Sequence, residues 1–172
     1  MRKLVIGIVF LTLVMSATAV LSASVPKAML KVGPNYMGFS ESSKTVKVGS
    51  TFTMTIYVDV HSAINAVAVD KLTFLPAGII YYKSVVMGNV FGDNTIVSLK
   101  PWVIDNAKGS VGPTFLLAGM PPVNNVKKTL ATITFTAMKV GTVTLTMATG
   151  ATAGNGIDPG TTKYTGIVNV VK

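Results

Sequence analysis

The chain has 172 residues, 49% of them hydrophobic and only 12% charged, a balance that excludes a disordered tail or a highly charged nucleic-acid-binding arm. It holds no cysteine, a single histidine (His61), one glutamate and five aspartates, too few proton shuttles, nucleophile–base pairs or soft ligands to furnish a hydrolytic centre or a zinc sphere. The formal net charge of +9 falls to +7 once Arg2 and Lys3 leave with a leader, and the remaining cations are lysines dispersed from Lys27 to Lys172 with only Lys127 and Lys128 adjacent, so no nucleic-acid partner is expected.

Residues 1–24 read as a secretory signal. Arg2 and Lys3 form the positive start, an uncharged apolar run follows over residues 4–15, and Ala17-Thr18-Ala19 sets small residues at the spacing a signal peptidase accepts. Ser22 and Ser24 repeat that spacing, which places the mature start between Val20 and Val25. The apolar run falls short of the roughly 20 residues of a spanning helix, and a retained anchor is the alternative. Every later apolar stretch is interrupted within a few residues by Thr, Asn, Gly, Pro or Lys, so no membrane span is expected in the mature chain. Residues 25–172 are expected to form a single domain, extracellular or at the cell surface, held by packing because no disulfide can form.

Strand periodicity dominates that domain. After a short strand at residues 44–48, Phe52, Met54, Ile56, Val58 and Val60 alternate with Thr51, Thr53, Thr55, Tyr57 and Asp59, setting one apolar row inward and one polar row outward. Further strands are expected at residues 66–74, 84–87, 95–99, 102–104 and 110–118, with turns or loops at Val48-Gly49-Ser50, Pro76-Ala77-Gly78, Gly92-Asp93-Asn94, residues 105–109 and Gly119-Met120-Pro121-Pro122. Alternation returns at residues 131–138, where Ala131, Ile133, Phe135 and Ala137 oppose threonines, and at residues 142–148, where Val143, Leu145 and Met147 do so. Lys139-Val140-Gly141 between them is a hairpin turn or a crossover between sheets, with Gly141 supplying backbone freedom. A last strand occupies residues 164–171. No stretch sustains a helical period, and about nine short strands at this spacing predict an all-β, antiparallel two-sheet sandwich.

Threonine dominates the outward rows, and charge is scarce there. Such a row is the ordinary solvent face of a strand; it is also a face that a protein or polysaccharide desolvates easily. Asp70, inside an otherwise apolar strand, is either a solvent-facing carboxylate paired with Lys71 or Lys100 or a polar anchor on a binding sheet. Trp102, the sole tryptophan, is a core or rim aromatic or, with Tyr57, part of a sugar-stacking platform; Tyr81 and Tyr82 are adjacent and cannot face one way on a strand. His61 reads as a loop histidine close to Asp59. Asp93 with Asn94, or Asn155 with Asp158, falls short of the roughly six to eight oxygens that calcium takes, so no metal and no cofactor are expected. No Gly-x-Ser-x-Gly elbow occurs, and no enzymatic activity is expected.

The order of these segments resembles a known family. Residues 45–59, Thr45-Val46-Lys47-Val48-Gly49-Ser50-Thr51-Phe52-Thr53-Met54-Thr55-Ile56-Tyr57-Val58-Asp59, followed by Val67-Ala68-Val69-Asp70-Lys71-Leu72-Thr73-Phe74, are similar to the opening of a cohesin domain. Leu130-Ala131-Thr132-Ile133-Thr134-Phe135-Thr136-Ala137 with Val140-Gly141-Thr142-Val143-Thr144-Leu145 resembles the late cohesin segment, in which a strand leads through a glycine turn to the next. Gly166-Ile167-Val168-Asn169-Val170-Val171 resembles the family's last strand, and residues 103–111 fit a cohesin-like turn. The likeness spans residues 28–172. It implies a jelly-roll sandwich related to some carbohydrate-binding modules, and a dockerin-like protein module docked on one sheet face. The expected function is therefore non-catalytic recognition, with Asp70, Trp102 and Tyr57 as candidate binding residues. The alternatives are a filament or matrix subunit in which residues 25–43 add as a strand to a neighbour's sheet, and a carbohydrate-binding module for a polysaccharide.

Overall fold

The computed structural model describes residues 35–92, 96–99, 103–112, 115–152 and 161–172; the leader and Trp102 lie outside them, as do Asp93, Asn94, Asn155 and Asp158. Among the described residues the chain forms thirteen strands: β1 (Asn35–Phe39), β2 (Ser43–Lys47), β3 (Thr51–Val60), β4 (Ile64–Leu75), β5 (Ile80–Met87), β6 (Ile96–Leu99), β7 (Val103–Asp105), β8 (Ser110–Gly112), β9 (Phe115–Val123), β10 (Val126–Ala137), β11 (Gly141–Thr152), β12 (Thr161–Lys163) and β13 (Gly166–Val171). They make a five-stranded sheet in the order β12-β1-β3-β10-β5 and an eight-stranded sheet along β2-β13-β11-β4-β8-β7, in which β9 also pairs with β4 and β6 with β9. Among the described residues no helix is long and apolar enough to cross a membrane.

The inward rows read from the sequence make the core. Phe52, Met54, Ile56, Val58 and Val60 of β3 are buried, as are Ala131, Ile133, Phe135 and Ala137 of β10 and Val143, Leu145 and Met147 of β11. Phe135 is where the layers meet. Its ring lies 5.7 Å from Phe52 on its own sheet, 5.7 Å from Phe74 on the opposite sheet and 6.3 Å from Tyr82 at the sheet edge. Tyr82 faces inward and Tyr81 outward, as alternation requires. The link from β10 to β11 is a crossover between sheets, not a hairpin, because β10 belongs to the smaller sheet and β11 to the larger. Gly141 starts β11 at φ 154°, where an added Cβ would lie 2.7 Å from Ile79 Cδ1; a side chain would be driven into the core's edge.

The all-β, two-sheet sandwich is as expected, with somewhat more than about nine strands and with two parallel pairings, β1 with β12 and β13 with β2, among the antiparallel ones. Some finer expectations need correction. Residues 110–118 are two strands, β8 and β9, which pair side by side with different stretches of the long β4; in the sequence Pro113-Thr114 stands between them, and proline has no N–H to give a ladder. Gly119-Met120-Pro121-Pro122 is not a connector but part of β9. Ala118 pairs with Ala66 and Val123 with Ile64, so the prolines occupy the register shift where β4 asks for no regular donors. The proposed donor segment at residues 25–43 is already in use from Asn35 onward, since β1 lies between β12 and β3 of its own sheet.

Candidate functional site

A sandwich of this kind offers two outer sheet faces. On the smaller sheet the outward positions of β3 and β10 carry Thr51, Thr53, Thr55, Thr132, Thr134 and Thr136, the ordinary hydrated face expected of threonine. Thr55 and Thr132 approach hydroxyl to hydroxyl at 3.4 Å. Tyr57 continues this row, half-buried, with the Lys127 ammonium 4.5 Å above its ring. Burial raises the Tyr57 hydroxyl's pKa above its ordinary value, and the neighbouring Tyr164 and Asp59 add to the shift.

On the larger sheet the central strand β4 buries Ile64, Val67, Val69, Leu72 and Phe74 and turns smaller groups outward. Ala66 and Ala68 are half-buried there, paired laterally with Ala118 and Leu116 of β9 on one side and with Thr152 and Gly150 of β11 on the other. A strip of alanine and glycine backbone in the middle of a sheet is flat and uncharged, and it loses little side-chain entropy when covered. Met120, 63% exposed, stands at one margin with Asn65 Nδ2 donating to its sulfur at 3.9 Å. At the other margin the register of β4 against β11 shifts beside Asp70, and the irregularity exposes both Asp70 and Lys71.

Asp70 is thus a solvent-facing carboxylate on the larger sheet, and it is not paired with Lys71: among the described residues its side chain has no hydrogen-bond or ion-pair partner. Tyr57 lies on the smaller sheet, so the two described candidates face opposite sides of the molecule and do not form one site. Trp102 falls outside the described residues. His61 is a half-exposed surface histidine with Nε2 3.1 Å from Asp59 Oδ1, the neighbour the sequence suggested. Among the described residues no three His, Cys, Asp or Glu side chains gather as metal ligands. Sequence reasoning missed Ala66, Ala68 and Ala118. Their signal was a quiet one, alanine in place of threonine at outward positions of β4 and β9.

No protein-family model matches the chain, and no curated protein matches it. Solved structures do. A non-cellulosomal cohesin from the hyperthermophilic archaeon Archaeoglobus fulgidus superimposes with a TM-score of 0.62 at 10% identity, covering 80% of this chain and 91% of that one. A type I cohesin–dockerin complex from Clostridium thermocellum gives 0.62 at 12% identity over 82% and 97% of the two chains. The third cohesin ScaC of Acetivibrio cellulolyticus, solved with the ScaB dockerin, gives 0.60 at 17% identity over 80% and 99%. The likeness is one of architecture, and it agrees with the resemblance carried by the alternating segments: this chain has the cohesin fold.

Proposed function

We propose that the chain is an exported, non-catalytic protein-binding module, extracellular or at the cell surface, that docks a dockerin-like partner on the outer face of its larger sheet. One observation supports the choice of face: Ala66, Ala68 and Ala118 form a flat uncharged strip on β4 and β9, beside the outward threonines of β11, whereas the outward rows of β3 and β10 on the smaller sheet hold no such strip. Apolar burial over that strip, with Met120 at its margin, supplies affinity, and the separate exposed charges of Asp70 and Lys71 fix register. The cohesin–dockerin complexes of C. thermocellum and A. cellulolyticus support a protein partner for this architecture. The apolar run and small-residue cleavage pattern of residues 1–24 support export.

The test uses the exported protein as bait for proteins released by the source cells, with isothermal titration of whatever is captured. Wild type is expected to hold a partner module, and Ala68→Arg to lose it while keeping the wild-type thermal midpoint. Retention of the partner by that variant overturns the choice of face, and capture of no protein but the bait itself overturns the docking reading. N-terminal sequencing of the exported form is expected to begin between Val20 and Val25.

A further inference from the structure

The smaller sheet carries, at one end, a cluster of aromatic and polar side chains that the docking face does not use. Tyr36 lies on β1, Tyr57 and Asp59 on β3, His61 just beyond β3, Lys127 on β10, and Tyr164 directly after β12. These segments are distant in sequence. They meet because β1 is flanked by β12 and β3, and because the Tyr164 N–H donates to Met37 O at 2.8 Å.

The rings are set by the backbone beneath them. Gly38 sits in the outward row between Tyr57 and Tyr164, and a methyl added there would lie 2.8 Å from Tyr164 Cβ and 3.4 Å from Tyr57 Cε1. The glycine is therefore the floor on which those two tyrosines rest, and its missing side chain lets them lie against the sheet. Tyr36 and Tyr164 are near parallel, with centroids 6.1 Å apart and planes inclined by 13°. His61 meets Tyr36 edge-on at 5.5 Å. Rings locked in this way have already lost the freedom a ligand would otherwise have to remove.

The electrostatics narrow the ligand. Asp59 faces His61 Nε2 at 3.1 Å, and the Lys127 ammonium is drawn over the Tyr57 ring at 4.5 Å, so neither charge stands free to attract an ion of opposite sign. What remains is a set of half-buried ring faces bordered by hydroxyl, carboxylate, imidazole and ammonium groups. That mixture suits a neutral polyol with one apolar side. A pyranose with equatorial hydroxyls presents such a side: its axial C–H bonds point at the electron-rich ring face, and its hydroxyls project to the margins.

We propose that this corner of the smaller sheet is a saccharide-binding site for a neutral polysaccharide, with sugar rings lying on Tyr36 and Tyr164. Sugar hydroxyls donate to Asp59 and accept from the Tyr57 hydroxyl and His61. The site shares no residue with the proposed docking face and is carried by the other sheet, so a partner module and a glycan are bound at once.

Affinity electrophoresis of the full chain through gels containing mixed-linkage β-glucan, xylan or laminarin, with co-sedimentation on cellulose and chitin, tests the site. At least one of these five glycans is expected to retain the protein. Tyr36→Ala and Tyr164→Ala are each expected to weaken that retention about tenfold, the scale of one lost ring contact with its buried area. Tyr81→Ala removes an exposed tyrosine from the same sheet outside the cluster and is expected to change nothing. Thermal midpoints identify any variant that unfolds; Asp59→Asn, which keeps every ring, is then expected to show a comparable loss. Retention by none of the five glycans, equal losses in Tyr81→Ala, or binding of a proline-rich peptide to Tyr36 and Tyr164 in place of sugar overturns the proposal. Loss of protein capture on Ala68→Arg with glycan retention intact separates this site from the docking face.

Discussion

Asn35 is fully buried, and its side-chain oxygen accepts two backbone hydrogen bonds, from His61 N at 2.8 Å and Ser62 N at 3.0 Å. It therefore ties the start of β1 to the turn that ends β3, while its Nδ2 has no hydrogen-bond partner among the described residues. Truncating it leaves two part-buried backbone donors without their acceptor. Asn35→Ala is expected to lower stability by about 2–3 kcal/mol, read from the urea midpoint. Asp105 shows the opposite case, a polar group at the surface. Its carboxylate accepts from the Lys108 backbone N–H at 2.9 Å and faces the Lys108 ammonium at 3.1 Å, and these hydrogen bonds hold its pKa below the ordinary 3.8. A depressed carboxyl pKa gives a contribution that is fully present above pH 3.8 and disappears as the pH falls through the lower folded value. A carboxyl NMR titration is expected to place the Asp105 midpoint below 3.8, and Lys108→Ala to move it back toward that value.

At the scale of the element, the exposed edge of β5 is the exposed flank that most needs explaining. β5 ends the five-stranded sheet, Val86 on it is 67% exposed, and an open edge is a template for another chain. Asn106, in the turn after β7, covers part of that edge. Its Oδ1 accepts from Tyr82 N at 2.8 Å and its Nδ2 donates to Tyr82 O at 3.4 Å, so a side-chain amide takes the place of a neighbouring strand. Asn106→Ala is expected to cost about 1 kcal/mol and to raise the apparent mass in concentration-dependent light scattering. Adding Val86→Lys to that variant is expected to restore the monomer's mass. None of this was legible in the sequence, which marks residues 105–109 as a turn but cannot say whose backbone a turn asparagine meets. Legibility followed solvent. β3 was read to the residue because one side of it is wet and the other dry, whereas β1 was missed because its burial does not alternate: Gly38 is covered by Tyr164, and Met37 and Phe39 face the core. The tyrosine cluster escaped for a related reason, since Tyr36 and Tyr164 become neighbours only through a parallel pairing that no local pattern encodes.

For the whole molecule, the absence of cysteine leaves cohesion to the interlayer core, where among the described residues the Phe135 ring meets Phe52, Phe74 and Tyr82. Phe135→Ala is expected to cost about 3–5 kcal/mol in a single cooperative urea transition, because the cavity opens between the layers. Charge acts over a longer range than packing. Without Arg2 and Lys3 the dispersed lysines leave the exported chain at a formal net charge of +7, yet the alanine strip itself carries none. Attraction of an acidic partner and adhesion to it then have different sources: the lysine field acts before contact and is screened over about 8–10 Å at ordinary ionic strength, whereas the strip acts only after water has left. Raising salt is accordingly expected to slow association with an acidic partner about tenfold while leaving dissociation nearly unchanged, as read by surface plasmon resonance at several ionic strengths. A dissociation rate that rises steeply with salt would instead place buried ion pairs at the centre of the interface, and Asp70 and Lys71 rather than the alanines would then hold the partner.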